Sequence, residues 1–302
     1  MRPLVGMLCA TALGAAAIDY QTARFNRRLE AARTAEPIVI DGRLEESAWS
    51  QASLATSFIQ NEPRTDEPAS ETTEVRVLYD HENLYFGIYA HDSTPSRVIT
   101  SDLKKDFSRD SGDSFQIILD TFHDGRNGYQ FAINPAGAKW DAQVTNEGRQ
   151  VNQDWDAVWV VQTRMVEDGW TAEIAIPFKT LKFRDSNVQN WGINFQRTVR
   201  RKNEDSFWSP LPRIYDLGRV SLAGTLEGME GVRPGSNTRI KPYVAGTFGE
   251  YSNGHSNWTG DAGLDVKYAL TPGLTWDFTY NTDFSQVEAD NQQINLTRFS
   301  LL

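Results

Sequence analysis

The chain has little that could crosslink it, bind a transition metal or attract a polyanion. There is one cysteine in 302 residues, Cys9, so no intrachain disulfide framework and no cysteine-based zinc site can form. The four histidines, His81, His91, His123 and His255, are scattered, and none is paired at ligand spacing. Lys and Arg number 30 against 40 Asp and Glu, a formal charge of −10. That balance excludes a nucleic-acid partner that would need a basic face. After the first residues there is no window of ~20 apolar side chains, which excludes a membrane-spanning helix there. A β-barrel span is not excluded, because its signal is alternation rather than a continuous run. No G-x-S-x-G, phosphate loop or dinucleotide fingerprint is present.

The N-terminus is the one apolar stretch. Met1-Arg2-Pro3 carries a positive charge, Leu4 to Ala17 is apolar and small, and Ala15-Ala16-Ala17 offers a cleavage site before the chain turns polar at Asp19. This predicts a secretory signal over residues 1–17. A buried N-terminal helix is the alternative, but it would have nothing local to pack on. Cys9 follows Leu8, where a lipoprotein signal needs a small residue, so no lipid anchor is expected. Export would place the protein in the periplasm or outer membrane of a Gram-negative bacterium, with no cysteine left in the mature chain.

Residues 18–35 are charged, with Arg24, Arg27, Arg28 and Arg33, and read as a linker. From 36 to 226 the pattern is β. Val75 to Tyr79 alternates, Asp80-His81-Glu82-Asn83 turns, and Leu84 to Ala90 returns. Ser114 to Asp120 and Tyr129 to Asn134 flank a second turn, and Ala157 to Thr163 and Trp170 to Ile176 flank Glu167-Asp168-Gly169. Trp191 to Val199 and Arg219 to Leu226 complete the set. Helix is expected only at 45–51 and at the turn 178–181. The prediction is an all-β, antiparallel β-sandwich of the jelly-roll kind.

Beyond 236 the alternation is longer. Leu264, Val266, Tyr268 and Leu270 share one face, as do Leu274, Trp276, Phe278 and Tyr280, with Asp265, Lys267, Asp277 and Thr279 opposite. Apolar and polar faces of this kind are the signature of transmembrane barrel strands. The 67 residues from 236 to 302 supply about four such strands, and closure needs about eight or more. The expectation is therefore the start of an incomplete outer-membrane barrel in a fragment of a longer protein. The alternative is a small β-appendage on the sandwich.

Several motifs carry a resemblance. Ile38-Val39-Ile40-Asp41-Gly42-Arg43-Leu44-Glu45-Glu46-Ser47-Ala48-Trp49 resembles the opening of family 9 carbohydrate-binding modules (CBM9). Thr73 to Phe86, Asp113 to Asp120 and Gly169 to Phe178 are similar to its hairpin and its middle and late strands. Asp120 to Phe131, Asn134-Pro135-Ala136-Gly137, Gly192 to Arg197, Arg200 to Glu204 and Trp208-Ser209-Pro210 resemble a bacterial family of uncharacterised function (DUF5916-like). In that family such a module precedes an outer-membrane barrel, and Asp283 to Asp290 is similar to the sequence that opens it.

The resemblance implies a non-catalytic carbohydrate-binding module whose partner is a saccharide or envelope glycan, attached to the outer membrane through its C-terminal strands. Family members clamp a sugar between two tryptophans. Here the first falls in Ser108-Arg109-Asp110-Ser111-Gly112 and the second in Pro210-Leu211-Pro212-Arg213, with no tryptophan in either. The clamp carboxylate falls at Gln116 and the clamp arginine at Ala132. The remaining candidates for sugar contact are Trp140, Trp155 and Trp208 with Gln116, Arg109 and Arg213. Aromatic faces suit sugar C–H surfaces, and amide and guanidinium groups suit hydroxyls. The plainer expectation is that at least two of these tryptophans pack under loops.

No cofactor is required on this reading. Structural calcium at Asp110, Asp113, Asp120 and Asp124 is the one metal expectation, set against solvated acidic loops. Hydrolysis would need two carboxylates about 5–10 Å apart, one with a raised pKa. Glu173 comes nearest, and its plain reading is a solvent-facing or arginine-paired strand residue. Two other functions stay open: a structural module that plugs, gates or anchors the barrel without binding sugar, and a glycoside hydrolase of carbohydrate catabolism.

Overall fold

The computed structural model describes residues 18–100, 102–234, 238–250, 256–271 and 274–281, in two compact units divided at Pro234 and Gly235. The expected signal segment lies outside the described residues. A short helix α1 (Tyr20–Ala23) precedes strands β1 (Arg28–Glu30) and β2 (Ala32–Arg33), then helix α2 (Ser47–Gln51). There follow β3 (Leu54–Ala55), β4 (Ile59–Glu62), β5 (Thr73–Tyr79), β6 (Asn83–His91), β7 (Ser114–Asp120), β8 (Gly128–Ile133), β9 (Lys139–Thr145) and β10 (Gln150–Asn152). The unit closes with β11 (Val160–Val166), β12 (Gly169–Pro177), β13 (Val188–Val199), β14 (Glu204–Phe207) and β15 (Gly224–Glu230).

These strands form two sheets. One runs β1-β15-β13-β7-β8-β9-β10, with β14 and β4 attached beside β13. The other runs β11-β12-β6-β5-β2, with β3 on β5. Alternation decides which side chains fill the space between them. Phe115, Ile117, Leu119, Phe131, Ile193 and Phe195 point in from the first sheet, and Val75, Val77, Phe86, Ile88, Trp170 and Ile174 from the second, all at 1% exposure or less. Phe86 meets Phe195 edge to face across the layer at 6.3 Å. The all-β sandwich expected from the sequence is therefore the fold observed.

The reading of residues 18–35 as a linker is corrected. β1 pairs parallel with β15, and β2 pairs parallel with β5, so this segment contributes to both sheets. Leu29 and Ala31, at 1% and 2% exposure, are core residues. Four arginines around two short apolar side chains mask that role in the sequence.

The second unit is a meander of β16 (Thr238–Glu250), β17 (Ser256–Thr271) and β18 (Leu274–Tyr280). Val266 lies opposite Ile240 and Phe278, Tyr268 opposite Trp276, and Leu264 opposite Tyr280. Side chains opposite one another share a face, so Ile240, Val244, Trp276, Phe278 and Tyr280 make one apolar surface, each 44% exposed or more. Lys241, Asp265 and Thr279 occupy the other face.

Candidate functional site

The outward positions of β7, β8 and β9 build the site. Gln196, Gln116, Ala132 and Trp140 stand directly opposite one another on β13, β7, β8 and β9. The intervening residues Phe115, Phe131 and Ile133 are committed to the core, which leaves this row on the outer face. Residues 102–112 fold over it. Asp106 N donates to Lys139 O at 2.8 Å, Asn134 Nδ2 donates to Asp102 O at 2.7 Å, and Phe107 packs with Ala132 and Trp140.

That loop lays Arg109 over Trp140, with its guanidinium carbon 3.9 Å from the ring centroid. Arg109 Nη1 donates to Gln116 Oε1 at 2.9 Å, and Gln130 Nε2 donates to the same oxygen at 3.0 Å. Burial pushes the Arg109 guanidinium down from its ordinary value, opposed by the charges of Asp110 and Asp216. The remaining N–H groups of Arg109 donate to no described residue. The arrangement is a cation on an indole beside an amide, suited to recognising polar ligands.

Three of the six predicted contact residues thus come together: Arg109, Gln116 and Trp140. The others do not join them. Trp208 is 3% exposed and packs on Phe195 at 5.6 Å, so it is a core residue. Trp155 is half-buried against Tyr129 at 4.9 Å and Phe131 at 6.0 Å. Arg213 is exposed and pairs with Glu62 at 3.3 Å. Sequence reading missed Gln130, whose outward position follows from the alternation of β8. It also missed that Trp140, at 3% exposure, is covered by Arg109 rather than presented on a loop.

The calcium expectation is corrected. Asp113 and Asp120 sit at opposite ends of β7, and seven residues of strand put them ~23 Å apart. Asp113 Oδ1 accepts from Arg200 N at 2.6 Å. Asp120 accepts from Asp124 N and Gly125 N at 3.1 and 2.7 Å, and Asp124 from Arg126 N and Asn127 N. Asp110 is exposed. Among the described residues no group of three acidic, histidine or cysteine side chains is arranged to hold a metal.

Glu173 is neither solvent-facing nor paired with arginine. It is fully buried. Oε2 accepts from Asp41 N and Gly42 N at 2.9 Å each, and Oε1 from Trp49 Nε1 at 3.0 Å. Its job is to hold the turn and helix of the 41–49 segment against β12.

The protein is a β-sandwich that carries an arginine-capped, buried tryptophan on the outer face of one sheet. Residues 40–206 match the family model described as carbohydrate family 9 binding domain-like, and the chain belongs to that family. Residues 237–301 match the model of a domain of unknown function, DUF5916. Among solved structures, the chain is similar to a putative carbohydrate-binding protein from Bacteroides uniformis, with a TM-score of 0.55 and 12% identity over 67% of this chain and 98% of that one. At that identity the likeness is one of fold. It is also similar to a family 9 carbohydrate-binding module from Caldicellulosiruptor kristjanssonii. With cellotriose the figures are TM-score 0.48, 18% identity, 67% of this chain and 93% of that one. With glucose they are 0.48, 17%, 70% and 98%. No curated protein matches the chain.

Proposed function

We propose that the sandwich is a non-catalytic carbohydrate-binding module that recognises a saccharide or envelope glycan. The observation that carries this reading is the Arg109–Trp140 stack beside Gln116, formed by two of the stretches to which the family resemblance assigns sugar contacts. Guanidinium N–H groups not used within the fold suit sugar hydroxyls. Calorimetric titration of the full chain with a panel of neutral sugars, glucose and cellotriose included, tests it. Binding weakened roughly tenfold by Arg109→Ala or Gln116→Ala is expected. Absence of heat with every sugar overturns it.

A second reading is a structural module that plugs, gates or anchors a barrel. The burial of Trp208, and the covering of Trp140 by Arg109, favour it. A crystal soak with ordered sugar at Arg109 would eliminate it. On both readings the meander β16–β18 is the opening of an outer-membrane barrel in an exported protein, supported by its one apolar and one polar face. Cell fractionation that leaves the protein in the cytosol would overturn that placement.

A further inference from the structure

The outer face of the other sheet carries a separate cleft of about 510 Å³. Its floor is a single cross-strand row, Glu74, Tyr89, Thr171 and Arg164 on β5, β6, β12 and β11. Residues directly opposite one another project from the same face. Three interstrand steps of ~4.8 Å put the ends of the row ~14 Å apart.

One wall is the 41–49 segment, and it is fixed in advance. Glu173 binds both backbone N–H groups of its turn and the Trp49 indole, and Thr171 Oγ1 donates to Gly42 O at 2.6 Å. Gly87 lets this wall lie against the sheet. A Cβ there would come within 2.8 Å of Trp49 and 2.9 Å of Leu44. A wall held this way costs little ordering entropy when a ligand arrives.

The charges lining the cleft do not cancel. Arg76 pairs with Glu74 at 3.1 Å and Arg43 with Glu45 at 3.5 Å. Arg164 is exposed and forms no ion pair among the described residues. Arg43 also lies 4.0 Å from Asp41, so the guanidinium of this lining left without a carboxylate among the described residues is that of Arg164. Tyr89 adds a half-buried ring, held by stacking on His91 at 4.0 Å and by donation of its hydroxyl to Asp168.

We propose that this cleft binds an acidic oligosaccharide, with Arg164 and Arg76 each meeting a sugar carboxylate at opposite ends of the row and the Tyr89 ring lying along the sugar between them. Guanidinium groups match carboxylates in a planar, two-point geometry, and an aromatic ring suits the C–H face of a pyranose. The length of the row suits an oligomer over a single sugar. The choice of a saccharide rests on the carbohydrate reading above, whereas the choice of an acidic one rests on the arginines.

The test is titration of the full chain with a galacturonic acid trimer and, in parallel, with neutral sugars. The expected result is trimer binding that falls with added salt and weakens roughly tenfold or more in Arg164→Ala and in Arg76→Ala. Circular dichroism of each variant checks that the sandwich is intact. Trimer binding that is absent, or that survives Arg164→Ala and Arg76→Ala unchanged, overturns the inference. If neutral sugars still bind and depend on Arg109, the carbohydrate reading stands without it. If no sugar of either kind binds, both fall.

Discussion

Trp49 Nε1 donates to Glu173 Oε1 at 3.0 Å, joining residues 124 apart in sequence. This one contact ties α2 to β12 and explains why a carboxylate sits fully buried on a strand. Burial pushes the Glu173 carboxyl up to about 7, against the pull of the Asp41, Gly42 and Trp49 N–H donors. The folded state therefore keeps the proton to higher pH than the unfolded chain, whose value is near 4.5. The linked stabilisation is complete below 4.5 and is lost as pH rises to about 7, at ~1.4 kcal/mol per pH unit. Glu173→Gln removes this dependence and turns an amide NH2 toward an N–H donor, at a cost of about 1–3 kcal/mol. The stability gap between wild type and variant, from urea unfolding, should narrow between pH 4.5 and 7. A gap that widens with pH would refute the assignment.

Glu71 titrates in the opposite sense. Burial pushes it up, but hydrogen bonds from Lys202 and Ser93 outweigh that, and the carboxyl sits at about 2. Arg201 bridges it to Asp92, at 2.6 Å to each. Because the folded value is depressed, the stabilisation is present above the unfolded value near 4.5 and disappears as pH falls toward 2. Glu71→Gln leaves Arg201 with Asp92 alone and should cost about 3–5 kcal/mol near neutrality. Acid titration followed by tryptophan fluorescence should show a shallower loss in the variant. An acid limb identical to wild type would count against the role given to Glu71.

Strand content was legible wherever alternation met a clear turn. The pair Val75–Tyr79 and Leu84–Ala90, the pair around Asp124-Gly125, and the pair around Asp168-Gly169 all appear as β5–β6, β7–β8 and β11–β12. β9 and β14 were not, because Asp141 and Glu204 place carboxylates where the surrounding structure later buries them. For the same reason the site was only half legible. Gln116 stands out as an amide in an apolar strand, but nothing local announces that residues 102–112 double back to put Arg109 on Trp140. Trp208 misleads in the other direction. Its neighbours Ser209 and Pro210 suggest a loop, yet the loop runs inward, with Ser209 Oγ donating to Leu222 O at 2.7 Å. The cleft at Tyr89 escaped because its row is assembled from four strands, each contributing one unremarkable residue.

The Arg109–Trp140 stack separates folding from binding. Trp140 is 3% exposed among Phe107, Ala132 and Ala142, so Trp140→Ala should destabilise by about 3–5 kcal/mol through the cavity it leaves. Arg109 is only half-buried, and Arg109→Ala should cost about 0.5–2 kcal/mol from the lost cation–π contact. Thermal melts of the two variants check the order. A larger loss for Arg109→Ala would mean that the guanidinium is chiefly a structural strut, and would shift weight to the reading without sugar.

The two faces of the β16–β18 meander make the last prediction. Phe278 stacks on Trp276 at 5.7 Å on the apolar face, and Thr279, the next residue, points the other way. If the apolar face meets lipid, a charge at Phe278 must enter hydrocarbon, while one at Thr279 faces a polar interior. Phe278→Arg should then cost about 2–4 kcal/mol of membrane stability near the bilayer midplane, and Thr279→Arg much less. The measurement is the fraction of protein recovered with liposomes after refolding in their presence. Loss for Phe278→Arg with retention for Thr279→Arg is the expected pattern. Equal recovery of both, or the reverse order, would overturn the assignment of the apolar face to lipid, because only a face in hydrocarbon makes a charge at Phe278 costlier for membrane recovery than one at Thr279.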